Sequence, residues 1–208
     1  KWFILKKGLI SYSPAHVGAF LKSSSEIDFP DLQFVFTPAS YTEGMIGKLQ
    51  EVPGITCGVW QSRPLSRGYV RALSQNIKDA PIIQPNYLKE KIDQDVLVSG
   101  FKMCRALLKT SNMDKISVGE TLPGQNIQTE EEILNYLRNN GATVYHAIGS
   151  CRMGIDDYAV VTPSLKIKGL SNIRIVDASI MPTMPSGNTN AATLMIAEKA
   201  SDIIKKEL

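Results

Sequence analysis

The sequence predicts an α+β fold, an antiparallel sheet with flanking helices. Short β-rich runs punctuated by proline and glycine occupy the first part of the chain, two amphipathic helical segments follow, and a further helical segment closes it. Strands and helices are grouped rather than strictly alternating, which is the pattern of an antiparallel sheet with separate helices rather than of regular βαβ units.

The strand expectations rest on β-branched and aromatic residues. Leu32–Thr37 reads LQFVFT, residues 55–61 read ITCGVWQ and residues 67–72 read RGYVRA, with Pro30, Pro38, Gly54 and Pro64 between them. Residues 93–109 read as a helix, because Val96, Gly100, Met103, Cys104, Leu107 and Leu108 recur at helical spacing, and Asp93 is the expected N-cap. Residues 116–128 are polar and contain Pro123-Gly124, so they read as a loop. Thr129 with Glu132 forms a capping-box pattern ahead of Ile133, Leu134 and Leu137, and Asn140-Gly141 ends that helix. In the last third, residues 165–167 and 173–176 read as strands joined by a turn. Pro182 and Pro185 then bracket a stiff loop, and residues 191–206 form a helix whose closing Lys205 and Lys206 suit its negative C-terminal end.

Composition bounds the class. Of 208 residues, 43% are hydrophobic and 21% charged, which fits a globular chain and not a disordered one. Twenty-three basic against 20 acidic residues leave a net charge of +3, too small a surplus to imply a nucleic-acid partner. No apolar run reaches the roughly 18 residues of a membrane-spanning helix. Three cysteines with no close pair speak for a reducing compartment, and their even spacing reads as chance because their flanks do not align. No CxxC or HxxxH pair suggests a metal site. The expected location is cytoplasmic, with a peripheral membrane position left open for a longer protein. The chain opens on Lys1, and KWFILKKGLI is too short and too lysine-broken for a signal peptide, so either an initiator or a whole preceding region is expected to have been removed.

Few residues suit chemistry. His16 sits in a turn-like stretch and reads as a loop residue. His146 ends an apolar, β-like run (residues 142–145) next to a small-residue loop, where an imidazole is a usable acid or base. A structural histidine is the commoner outcome of such a local pattern. Cys151 lies five residues further on, but partners in a Cys/His nucleophile normally converge from separate segments, so a small buried thiol is favoured. Asn188-Thr189-Asn190 opens the last helix, where first-turn amides attract an electronegative group or are capped by Asn188 or Asn190. Asp177 ends an apolar run, where its carboxylate can bind a ligand or cap a turn.

Together these motifs resemble the C-terminal signature of the glucose-methanol-choline (GMC) flavoprotein oxidoreductases. The resemblance rests on His146, Gly149-Ser150, Met153-Gly154, Val160-Val161, Gly169, and the run from Asn172 to Pro182. It continues through SGNTNA (Ser186 to Ala191) into MIAEKA (Met195 to Ala200). Upstream, Arg63 to Gly68 is similar to the family's P-x-S-R-G stretch, Pro81 to Leu88 followed by Asp93 fits the next segment, and Pro30 to Gln33 resembles P-D-[LI]-Q. The choline-dehydrogenase-like and alcohol-dehydrogenase-like branch is the most similar. Ala147 and Ser150 stand where proline and threonine are common.

The resemblance implies an FAD-dependent oxidoreductase acting on the CH–OH group of a small-molecule alcohol, choline-like or another primary alcohol. It assigns catalytic roles to His146, as base, and Asn188, and FAD contacts to Asp177, Ala178, Thr189, Asn190 and Ala191. Residues 1–144 would be part of the substrate-binding domain, and 145–208 the signature region that also completes the FAD-binding domain with a strand and helix. None of the 15 glycines forms the G-x-G-x-x-G of a pyrophosphate cradle, so the resemblance further implies a missing N-terminal FAD-binding domain. An isolated chain of this kind would be inactive and retain no flavin, and its last helix would be open to self-association. A non-catalytic recognition module and a hydroxynitrile lyase on the same scaffold are the rival readings.

Overall fold

The computed structural model describes residues 2–7, 13, 15–43 and 47–207, so Lys1 and residues 8–10 of the opening stretch lie outside the described residues. The chain divides into two compact units, Lys1–Gln61 with Glu90–Ala142, and Ser62–Lys89 with Thr143–Leu208. Residues 62–89, grouped with the N-terminal part in the sequence, therefore belong to the second unit.

The first unit begins with a single helical turn, α1 (Trp2–Leu5), and is built on a three-stranded antiparallel sheet in the order β1 (Val17–Leu21), β2 (Leu32–Thr37), β3 (Thr56–Gln61). Gly18 to Leu21 pair with β2 in register with Val35 to Leu32, and β2 in turn sets Phe34 opposite Val59. Strand periodicity puts Leu32, Phe34 and Phe36 on one face, where Leu32 and Phe34 are fully buried. On the other face the Trp60 indole N–H donates to Gln33 Oε1 at 3.1 Å across the ladder.

Helix α2 (Lys91–Leu108) covers that apolar face. Val96 and Cys104 join Leu32 and Phe34 in the core, with Val59, Met103 and Leu107 packed around them. Gly100 allows the approach to be close, since a Cβ there would lie 2.9 Å from both Leu32 Cδ2 and Val59 Cγ2. Asp93 is not the N-cap that the sequence suggests. The cap is Glu90, without a side-chain cap bond, and Asp93 is 1% exposed and accepts from Gln61 Nε2 at 2.9 Å. Burial decided this: the residue after one turn faces the sheet, and a buried carboxylate requires a donor.

A short helix, α3 (Ser111–Asp114), follows, and the loop after it is organised by Arg105. The Arg105 guanidinium grips Glu120 with two bonds (2.8 and 2.7 Å). It also donates to the carbonyls of Ile127 (2.6 Å) and Gly124 (3.1 Å) and lies over the Phe101 ring. Helix α4 (Glu130–Asn140) begins with the expected capping box. Thr129 Oγ1 accepts from Glu132 N–H at 3.2 Å, and Glu132 Oε2 accepts from Thr129 N–H at 2.8 Å. The backbone N–H groups of Thr129 and Gln128, which both donate to Glu132 Oε2, hold that carboxyl below its ordinary value. Gly141 closes the helix with its N–H on Leu137 O.

The second unit contains a hairpin, β4 (Tyr69–Arg71) with β5 (Ile82–Gln84), and the C-terminal region. The strands expected at 142–145, 165–167 and 173–176 do not form. Around the last two, isolated bridges join Val161 to Ile167 and Lys166 to Arg174. The reason is backbone conformation: Tyr145, Leu165, Gly169 and Asn172 all have positive φ, so no extended run lasts long enough to make a ladder. The apolar residues of these runs still pack. Val161, Leu165, Ile180, Met181, Ile196 and Ala200 form one buried cluster. The last two belong to α5 (Asn190–Lys205), whose Leu194 and Met195 stay 60% and 59% exposed. No helix among the described residues is long and apolar enough to cross a membrane.

Two measurements test these elements. Thr129→Ala removes the cap acceptor and should lower unfolding stability by about 1 kcal/mol, read as a lower denaturation midpoint at unchanged slope. Beyond α5, Glu207 accepts from Lys166 (2.8 Å) and Arg174 (2.5 Å), and these bonds lower its pKa. A lowered carboxyl pKa stabilises the fold above the unfolded value and ceases to do so as pH falls through the folded one. The melting-temperature gap between the parent and Glu207→Gln should hold steady above about pH 5 and close below the ordinary carboxylate range.

Candidate active site

The site is assembled within the second unit from two segments of sequence. The first carries His146. It follows Tyr145, whose left-handed backbone (φ 60°) is supported by its N–H on Thr143 Oγ1 at 3.1 Å. Gly149 is also left-handed (φ 80°) and close to Met181 O, where a Cβ would lie at 3.3 Å, so a side chain there would be both strained and crowded. Beyond it, Cys151 N–H donates to Ser179 O (3.0 Å) and Met153 N–H to Ile180 O (2.8 Å). These bonds tie the histidine segment to the short 3-10 helix Ala178–Ile180. Asp177 sits at the head of that turn and caps it, its Oδ1 accepting from Ser179 N–H at 2.7 Å.

The second segment enters α5 through Asn188 and Thr189. Asn188 Nδ2 lies 2.8 Å from His146 Nε2, and Thr189 Oγ1 lies 3.0 Å from His146 Nδ1. An amide nitrogen only donates, so Nε2 accepts and keeps its lone pair. The ring proton then sits on Nδ1 and donates to the threonine hydroxyl. A neutral imidazole in one tautomer results, with its basic nitrogen turned toward Asn188. Thr189 is buried and its carbonyl accepts from both the backbone N–H and the hydroxyl of Thr193 at 2.9 Å, so the acceptor for Nδ1–H is fixed by the first turn of α5.

Of the residues singled out in the sequence, His146, Asn188 and Thr189 come together, while Asp177 and Ala178 form the adjoining turn. Asn190 and Ala191 begin α5 and are exposed. Asn188 and Asn190 are not the N-cap: Thr189 is, with a helical backbone (φ −74°, ψ −11°) and no side-chain cap bond, and its hydroxyl lies against His146. The partnership of Thr189 with the imidazole is what sequence reasoning missed, and a separation of 43 residues left no local signal for it. The Cys/His pairing is not formed, since Asn188 and Thr189 occupy the two ring nitrogens. His16 is exposed, as a loop residue should be. Arg152 grips Asp156 with two bonds (2.9 and 2.6 Å), which hold that carboxyl far below the usual range.

A family model described as GMC oxidoreductase matches residues 64–197, which is more than half of the chain and includes the whole site. The chain belongs to the GMC oxidoreductases. It is 41% identical over 203 residues to an alcohol dehydrogenase [acceptor] of Pseudomonas putida, an alignment covering 98% of this chain and 37% of that protein. It is 36% identical over 209 residues to an oxygen-dependent choline dehydrogenase of Staphylococcus epidermidis, covering 99% and 36%. Among solved structures, pyridoxine 4-oxidase from Mesorbium loti superposes with a TM-score of 0.81 at 27% identity, covering 91% of this chain and 37% of that one. The chain thus spans little more than a third of the length of the curated GMC relatives it matches.

The hydrogen-bond order around the ring is open to direct measurement. Thr189→Val keeps the β-branched shape but removes the acceptor, so the Nδ1–H tautomer should lose its preference. Side-chain 15N shifts of labelled His146 should move toward the other tautomer, and unchanged shifts would mean that Thr189 does not set it.

Proposed function

We propose that this chain forms part of an FAD-dependent GMC oxidoreductase that oxidises the CH–OH group of a primary alcohol, choline-like or another of that class. The single observation behind this reading is the convergence of His146 Nε2 and Asn188 Nδ2 at 2.8 Å, which lets one hydroxyl oxygen lie within reach of both. In this reading residues 1–144 contribute to the substrate-binding domain, and residues 145–208 supply the catalytic groups and the elements that complete the flavin domain. The relatives named alcohol and choline dehydrogenases support the reaction class.

The residues present fit the flavin. The amides at the start of α5 receive no bond from the Thr189 side chain, and the positive end of that 16-residue helix favours an electronegative group. Asn190 and Ala191 are exposed there, Ala191 is small enough for close approach, and Asp177 and Ala178 flank the same segment in the turn before it. Bound FAD supplies the acceptor for the hydride that leaves the substrate carbon.

The chain's own residues manage the proton and the oxygen. His146 Nε2, the ring nitrogen without a proton in the Nδ1–H tautomer, takes the hydroxyl proton. The ring then carries two N–H donors, one to Thr189 and one to the substrate oxygen. Asn188 donates its amide N–H to the same oxygen as negative charge develops there, and it does so without titrating.

His146→Ala in the flavin-loaded enzyme should slow flavin reduction by alcohol about 100-fold or more while leaving flavin content near normal. An unchanged reduction rate would remove His146 from the proton step. Because asparagine does not ionise, Asn188→His should add an ionisation to the kcat/KM pH profile for a non-ionising alcohol and lower the rate moderately. Anaerobic bleaching of the flavin by an alcohol supports oxidation, and a flavin left oxidised throughout would favour the lyase reading.

A further inference from the structure

We propose that Cys57 and Cys104 form a modifiable dithiol that a hydroperoxide closes to a disulfide, stapling α2 to the sheet. The two residues stand 47 positions apart, one on β3 and one on α2, and both are free thiols. Their sulfurs face each other at 3.2 Å. A disulfide needs about 2.05 Å, so closure takes roughly 1 Å of movement and no change of partner. The packing of Val96, Met103 and Leu107 against β2 and β3 holds α2 against the strands that include the Cys57 site.

The two thiols are unequal, which gives the reaction an order. Cys57 is half-buried, whereas Cys104 is 8% exposed and packed in the core. The hydrogen bond from Cys104 favours the Cys57 thiolate and lowers its pKa. The same bond, together with burial, keeps Cys104 protonated. The Cys57 thiolate attacks one peroxide oxygen and breaks the O–O bond. Cys57 becomes a sulfenic acid, and the departing hydroxide takes a proton to leave as water. Cys104 sulfur then attacks the Cys57 sulfur, the S–S bond forms, and the Cys104 proton leaves with the sulfenic oxygen as a second water. Overall two thiols are oxidised by two electrons and one hydroperoxide is reduced. In a reducing compartment the pair rests as thiols and closes only under oxidant, so a resting pair and a closed pair are two states of one core.

Cys151, in the other unit, serves as the internal control. Treating the native protein with hydrogen peroxide near neutral pH, followed by thiol blocking and peptide mapping, should yield a peptide linked through Cys57 and Cys104. The link should be reversible by dithiothreitol. Closing so long a loop should raise the melting temperature by about 5 °C or more. Cys57→Ser and Cys104→Ser should each abolish the linked peptide, and Cys151→Ser should leave it. Oxygen atoms added stepwise to Cys57 without any cross-link, or a link made instead through Cys151, would overturn the proposal. So would a cross-linked form that melts no higher than the reduced one, because the pair would then not staple the fold.

Discussion

The imidazole of His146 is held from both sides by two consecutive residues, Asn188 on Nε2 and Thr189 on Nδ1, and most of the second unit serves to keep those bonds in place. Two neighbours in sequence can reach opposite edges of one ring only where the backbone turns between them, and the entry into α5 is such a turn. That entry stays where it is because Ile196 and Ala200, further along the same helix, are buried among Val161, Leu165, Ile180 and Met181. The histidine segment is fixed independently, through Cys151 and Met153 to the carbonyls of Ser179 and Ile180. A nonpolar cluster thus sets the position of a polar one. The hydrogen bonds within the site are short and directional, but hydrophobic burial brings their ends together.

The division of labour around the ring has a chemical consequence. With Thr189 as acceptor, the Nδ1 proton has a fixed destination, and the lone pair on Nε2 faces the Asn188 amide. Thr189 enters the helix with a helical backbone (φ −74°, ψ −11°), not the extended conformation from which a side chain caps. The helix start therefore lacks its side-chain cap, and the amides of its first turn are left for another electronegative partner.

The first unit works differently. Its core is a sheet face and a helix face, Leu32 and Phe34 against Val96 and Cys104, and the closeness of their contact depends on Gly100 having no side chain. Polar groups drawn into that contact acquire partners rather than remaining bare: Asp93 takes Gln61, and Cys57 takes Cys104. Arg105 does the same for the loop that follows, converting a stretch with no regular structure into one fixed by four bonds from a single guanidinium.

The sequence by itself determined whatever depends on local spacing. The strand at Leu32–Thr37, the long helix through Val96 and Leu107, and the capping box at Thr129 and Glu132 are all set by residues within a turn or two of one another. The dense signature around His146 and Asn188 also marked the family, because motif order is itself a property of sequence. Tertiary structure alone decided that the runs near residues 167 and 174 would be bridges rather than strands, and that the run before His146 would form neither. Positive φ at Tyr145, Leu165 and Asn172 interrupts the extended backbone there, and β-propensity does not encode it at tyrosine or leucine. It also decided that Asp93 would be a buried acceptor and not a cap, and that Thr189 would orient a histidine 43 residues away. Two thiols 47 residues apart came to face each other in the same way. For Asp93, Thr189 and the two thiols the partner is distant in sequence, and only folding brings it within the few ångströms over which a hydrogen bond or a thiol contact acts.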